Sequence, residues 1–232
     1  MKKKYLLMGV AGALVLSTMI GGTLAALDTE TKVGATADIS VKSIGVSLDK
    51  GNGASTEDGT LDIEPAVVPG GDYECSYSVS NNEENGYDIY VKVTIYKYWE
   101  SDDATLTSEY DSIYFDGNKT VYPLGLEEDE TFRVMDNGWL LQYADEEQLV
   151  LYYTKPLAPG ESSTDFMKGI HFDTEIGNAY ADKTLVLEYE VTAVQRNNGE
   201  DAMAAEWGMF PEFDEDGNLT GVYETEAERH GN

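Results

Sequence analysis

The chain has 232 residues, 44 of them acidic and 15 basic, giving a formal net charge of −29 and a pI of about 4.1. Such a surface repels nucleic acid and anionic lipid, and it suits divalent cations, cationic wall components or basic proteins instead. A single cysteine, Cys75, excludes an intramolecular disulfide, so stability must come from packing.

The chain opens on Lys2, Lys3 and Lys4, followed by an apolar run from Tyr5 to about Ile20. That is the layout of a secretory signal peptide. Gly21, Gly22, Thr23, Leu24, Ala25 and Ala26 are mostly small, and the sequence turns polar at Asp28. Cleavage is expected after Ala25 or Ala26, so that the mature chain starts near Leu27. The alternative is an uncleaved anchor, because Tyr5 to Ala26 approaches the roughly 20 residues of a spanning helix; membrane contact is expected only through this segment. Without the three lysines, 12 basic residues face 44 acidic ones, a formal mature charge of −32. The expected organisation is a signal peptide over 1–26, one β-sandwich domain over 27–208 and an acidic appendage over 209–232.

Period-two alternation then recurs along the chain, which predicts strands buried on one face. Val33, Ala35, Ala37, Ile39 and Val41 alternate with Lys32, Gly34, Thr36, Asp38 and Ser40. Asp49 to Thr60, rich in Gly, Asn, Ser, Thr and acidic residues, predicts a loop. Pro69-Gly70 predicts a turn that launches a strand in which Tyr73, Cys75, Tyr77 and Val79 point inward, with the Cys75 thiol in the core rather than reactive. The longest strand is expected at Ile89, Val91, Val93 and Ile95, followed by an acidic region from Glu100 to Asp111. Weaker strands are expected at Thr131–Met135, Trp139–Tyr143, Leu149–Thr154 and Phe166–Phe172, and a second Pro-Gly turn at Pro159-Gly160 echoes the first. Leu185, Leu187, Tyr189, Val191 and Ala193 complete the core. A short helix is expected from about Glu200 to Trp207, ended by Gly208. Beyond it, Glu212 to Leu219 predicts a hairpin tip, and Glu224 to Asn232 a disordered tail. The fold class is mainly β, an antiparallel sandwich with a short C-terminal helix.

Signals for catalysis are weak. The two histidines, His171 and His230, form no His-Glu-x-x-His pair, no Gly-x-Ser-x-Gly elbow occurs, and Cys75 has no evident partner. Carboxylates are too abundant to single out a glycosidase pair. Trp99, Trp139 and Trp207, with the tyrosines, could line a carbohydrate platform or simply pack. Asp214, Asp216, Asn218 and Thr220 place oxygen ligands at alternate positions around Gly217, as calcium loops do, but they depart from the EF-hand pattern; an Asp-Gly hairpin turn reads the same residues without an ion.

The signal segment, with Gly21-Gly22-Thr23-Leu24-Ala25-Ala26 before Leu27 and Asp28, resembles those processed by the SipW-type signal peptidase of Gram-positive bacteria. Tyr189-Glu190-Val191-Thr192-Ala193-Val194-Gln195, leading through Asn197 and Asn198 to Ala204-Ala205-Glu206-Trp207-Gly208, is similar to the closing strand and Trp-Gly of the TasA and camelysin family with its BsaA-type pilin-like relatives. The Pro69-Gly70 turn and Tyr73 to Asn81 extend the resemblance over about residues 1–208. It implies a jelly-roll-like sandwich, secretion, and assembly into matrix fibres in which the mature N-terminal strand completes a neighbour's sheet.

The expected function is therefore a secreted, non-enzymatic structural subunit, located in the extracellular matrix or at the cell surface. Its partners would be copies of itself, the signal peptidase during export and an anchoring or accessory matrix protein. Val33, Ala35, Ala37, Ile39 and Val41 would be the donor strand, with the loop Asp49–Thr60 giving it reach. A monomeric adhesin for wall glycan or calcium is the alternative. A camelysin-like metallopeptidase is the weaker one, given the missing zinc motif.

Overall fold

The computed structural model describes residues 35–41, 46–51, 68–100, 106–109, 111–115, 130–144, 147–180 and 183–230. Two sheets face each other across one core. The larger has six strands in the order β1 (Ala35–Val41), β10 (Thr184–Gln195), β4 (Ile89–Glu100), β8 (Gln148–Tyr153), β7 (Trp139–Ala144) and β6 (Arg133–Val134). The smaller has four, in the order β2 (Val46–Lys50), β3 (Asp72–Asn81), β9 (Met167–Phe172) and β5 (Asp111–Tyr114). The chain crosses between sheets at β1–β2, β3–β4, β4–β5, β5–β6, β8–β9 and β9–β10, the jelly-roll-like path of an antiparallel sandwich.

At the centre of the larger sheet, β4 and β10 pair antiparallel over 12 residues each, from Ile89 opposite Gln195 to Glu100 opposite Thr184. Their alternation has the expected result: Val91, Val93, Ile95, Leu187, Tyr189 and Val191 are fully buried, each worth about 1.5–3 kcal/mol relative to exposure for a fully buried side chain of this size. From the smaller sheet Cys75, Tyr77, Val79, Met167, Ile170 and Phe172 meet them. Aromatic rings fill the middle. Tyr77 lies 4.7 Å from Tyr189, Phe166 lies 5.7 Å from Trp139, and Trp139 lies 5.1 Å from Tyr153 between centroids.

The two Pro-Gly turns are built alike. Gly71 N donates to Val68 O at 3.0 Å and Glu161 N donates to Ala158 O at 2.9 Å, with Gly70 at φ 73° and Gly160 at φ 78°. A proline followed by a residue at positive φ is the type II arrangement, which explains why both sequences need glycine there.

A second, smaller core lies on the outer face of the larger sheet. Tyr90, Leu140, Tyr152 and Val194 of the sheet are covered by Met203 of helix α1 (Gly199–Trp207), by Met209, and by Leu219 and Val222 of the hairpin β11 (Phe210–Phe213) and β12 (Leu219–Tyr223). Gly208 closes α1 at φ 67°, its N–H bonding Met203 O, as a left-handed C-terminal cap does.

Several expectations need correction. Asp49 and Lys50 belong to β2, paired with Ser78 and Tyr77, so the strand extends into what reads as a loop; residues 52–60 lie outside the described residues. Asp111, expected in an acidic region, is 1% exposed at the start of β5. Among the described strands the pairing is antiparallel except at one edge, where β1 runs parallel to β10. Instead of a disordered tail, a one-turn helix α2 (Glu226–Arg229) follows the hairpin, held by a capping box between Thr225 and Glu228.

Candidate functional site: sheet edges and buried charges

A strand-exchange site needs an edge with a free row of main-chain groups. The edges among the described strands are β1 and β6 in the larger sheet and β2 and β5 in the smaller. β6 is two residues long, with Val134 54% exposed beside the Arg133–Glu130 ion pair. β2 and β5 are longer but antiparallel and tied by side chains: Ser80 Oγ of β3 and Ser162 Oγ both bond Asp49 in β2, while Asp111 of β5 is anchored inside the sandwich.

β1 is different. It aligns Ala35, Ala37, Ile39 and Val41 with Leu185, Leu187, Tyr189 and Val191, so these four donor-strand candidates stand at the register positions of the core-facing residues of β10. It pairs with β10 alone among the described strands, and parallel ladders are slightly weaker per residue than antiparallel ones. Val33 and the cleavage candidates Ala25, Ala26 and Leu27 lie outside the described residues.

The calcium candidates sit together at the β11–β12 tip. Asp214 Oδ1 accepts from the main-chain N–H of Asp216 at 2.9 Å and of Asn218 at 2.8 Å, and Oδ2 accepts from Asn218 Nδ2 at 2.8 Å. These bonds hold the Asp214 carboxyl below its usual range, with the Asn218 side chain the largest cause. Thr220 Oγ1 donates to Glu212 O at 3.1 Å, and Arg196 Nη2 donates to Asp216 O at 2.9 Å. Both Asp214 oxygens thus serve the turn. Among the described residues no group of three or more His, Cys, Asp or Glu is arranged to hold a metal.

The three tryptophans do not share a face. Trp139 is fully buried with Nε1 bonded to Thr164 O at 3.1 Å, and Trp99 packs at 5.0 Å on Tyr180 at the end of the main core. Trp207 lies on the outer face, 5.6 Å from Tyr152 and 5.8 Å from Lys92 Nζ. His171 Nδ1 lies 2.7 Å from Asp72 Oδ1 on the smaller sheet, and His230 caps α2.

The residues missed from sequence are Lys97 and Asp111. Lys97 continues the inward parity of Val91, Val93 and Ile95, and both charges are almost wholly buried, at 2% and 1% exposure. A lysine at the inward parity of a long central strand is the available signal. The apolar alternation ends at Ile95, and a charge at the next inward position reads as the end of the buried run. No protein-family model, curated protein or solved structure matches this chain.

Proposed function

We propose that this chain is an exported structural subunit of extracellular fibres or biofilm matrix, of the kind its resemblance to the TasA and camelysin family implies. In this reading the N-terminal strand of one copy completes the larger sheet of the next. The observation that carries it is the parallel edge strand β1 against β10, the first described strand and the one parallel pair among the described strands. An edge strand with period-two alternation can leave its own sheet and be replaced by a neighbour's copy with the same main-chain bonds. Four residues, 42–45, separate β1 from β2. From Val41 to Val46 the chain can reach at most about 18 Å, so an exchanged strand must enter a neighbour stacked directly against the donor's own edge.

The test is removal of residues 27–41 from the secreted chain. The truncated protein is expected to keep its β-sheet circular dichroism yet form no filaments by electron microscopy, and a free peptide of residues 27–41 is expected to block elongation of the intact mature chain. Filaments from the truncated protein, under conditions where the intact chain forms them, would overturn the donor-strand reading.

A further inference from the structure

Lys97 and Asp111 form an ion pair buried inside the sandwich. Lys97 projects from β4 of the larger sheet into the sandwich, and Asp111 projects from β5 of the smaller. Lys97 Nζ lies 2.9 Å from Asp111 Oδ2 and also donates to Ser108 O at 2.7 Å and to Asp111 O. On the other side of the carboxylate, Trp99 Nε1 donates to Asp111 Oδ1 at 2.9 Å. The indole is packed between Tyr180, at 5.0 Å, and Phe172, at 6.1 Å. Tyr180 Oη in turn bonds Thr107 O at 3.0 Å, closing the segment that carries Ser108 over the pair.

We propose that Lys97 and Asp111 condense into a side-chain amide that joins the two sheets covalently. The physical case begins with the cost of the ion pair, since two charges withdrawn from water are poorly repaid by their mutual attraction. Burial pushes the Asp111 carboxyl above its usual range even with Lys97 beside it. In water, an amide is hydrolysed largely because the acid and amine released there ionise. A dry site weakens that drive and shifts the balance toward the neutral amide. Proximity supplies the rate, because the Lys97 amine is held against the Asp111 carboxyl, Nζ 2.9 Å from Oδ2, and well-oriented groups so fixed reach effective molarities of about 10⁵ M or more.

The step balances within the pair. The Lys97 ammonium passes one proton to Asp111 Oδ2, leaving a neutral amine and a neutral acid. Nζ then attacks Asp111 Cγ, and the negative charge that develops on Oδ1 is held by the Trp99 Nε1–H, a donor already aimed at it. As the C=O re-forms, the Cγ–Oδ2 bond breaks, and Oδ2 leaves as water with a second proton from Nζ. One hydrogen stays on Nζ as the amide N–H. No oxidant, cofactor or second protein is consumed. The product would give a chain with one cysteine the covalent link between sheets that a disulfide supplies elsewhere, and it rests on no part of the proposed function.

Mass spectrometry of the purified full-length chain decides the matter. The expected result is a loss of one water, about 18 Da, with a branched tryptic peptide joining the Lys97 and Asp111 segments and no cleavage after Lys97. In Lys97→Arg, which keeps the charge but not the nucleophilic amine, the full mass should return. Full mass in the wild type, with a free Lys97 recovered by trypsin, overturns the proposal. So does an 18 Da loss that maps to an Asp-Gly pair such as Asp216-Gly217, or one that persists in Lys97→Arg.

Discussion

Cys75 shows how burial sets chemistry at single residues. It is fully buried, and desolvation pushes its thiol up to about 12, with bonds from Tyr77 and Tyr189 opposing the shift only partly. The native protein is therefore expected to give no reaction with an aromatic disulfide reagent at pH 8 and one full equivalent after unfolding; a fast native reaction would contradict this packing. Gly169 makes a different point. A Cβ built there would collide with Tyr114 Oη and the main-chain oxygen of Tyr73, because β9 passes between β3 and β5 at that position. Gly169→Ala should cost about 3 kcal/mol, read as a lower urea midpoint with unchanged slope. At the hairpin tip the sign is set by Asp214, whose pKa is depressed below its ordinary 3.8. A depressed carboxylate contributes stability above the unfolded pKa and loses it as pH falls through the folded value. The Asn218 amide resonance is thus expected to titrate with a midpoint below 3.8, and a midpoint above it would remove Asp214 from the turn.

At the scale of elements, the C-terminal hairpin behaves as part of the sandwich rather than as an attachment. Tyr90 Oη donates to Gly217 O at 2.8 Å, Leu219 N donates to Thr154 O at 2.7 Å, and Leu219 and Val222 are buried against the outer face of β4 and β8. Leu219→Ala should therefore lower the stability of the whole molecule by about 2–5 kcal/mol, in one transition. An independent hairpin would instead leave the main melting transition unchanged. This packing was hard to read from sequence for a definite reason. Tyr90, Tyr152 and Val194 occupy the solvent parity of their strands, and alternation reports only one buried face. β2 is not legible in the sequence because five residues, Val-Ser-Leu-Asp-Lys, carry too few apolar positions to stand out from the polar stretch that follows.

For the whole molecule, charge governs how copies meet. With a formal charge of −29, copies of this chain must bring like charges together in any fibre, and both salt and acid relieve that repulsion. Assembly is expected to accelerate as pH falls from 7 toward the pI of about 4.1 and as salt rises, followed by light scattering with electron microscopy to distinguish filaments from precipitate. Scattering that stays flat across both ranges would argue against self-association.

Sequence alone determined the mainly β class, the long central strands β4 and β10, the two Pro-Gly corners and the helix ended by Gly208. Each follows from local rules, a period of two, a proline beside a glycine, a left-handed cap, which act within a few residues. Tertiary structure alone decided which face the hairpin covers, that β1 runs parallel to β10, and that Lys97 meets Asp111. Those outcomes depend on which strands become neighbours after the chain has crossed between sheets. A residue's burial and charge partner are then set by segments far away in the chain, and no local pattern encodes them.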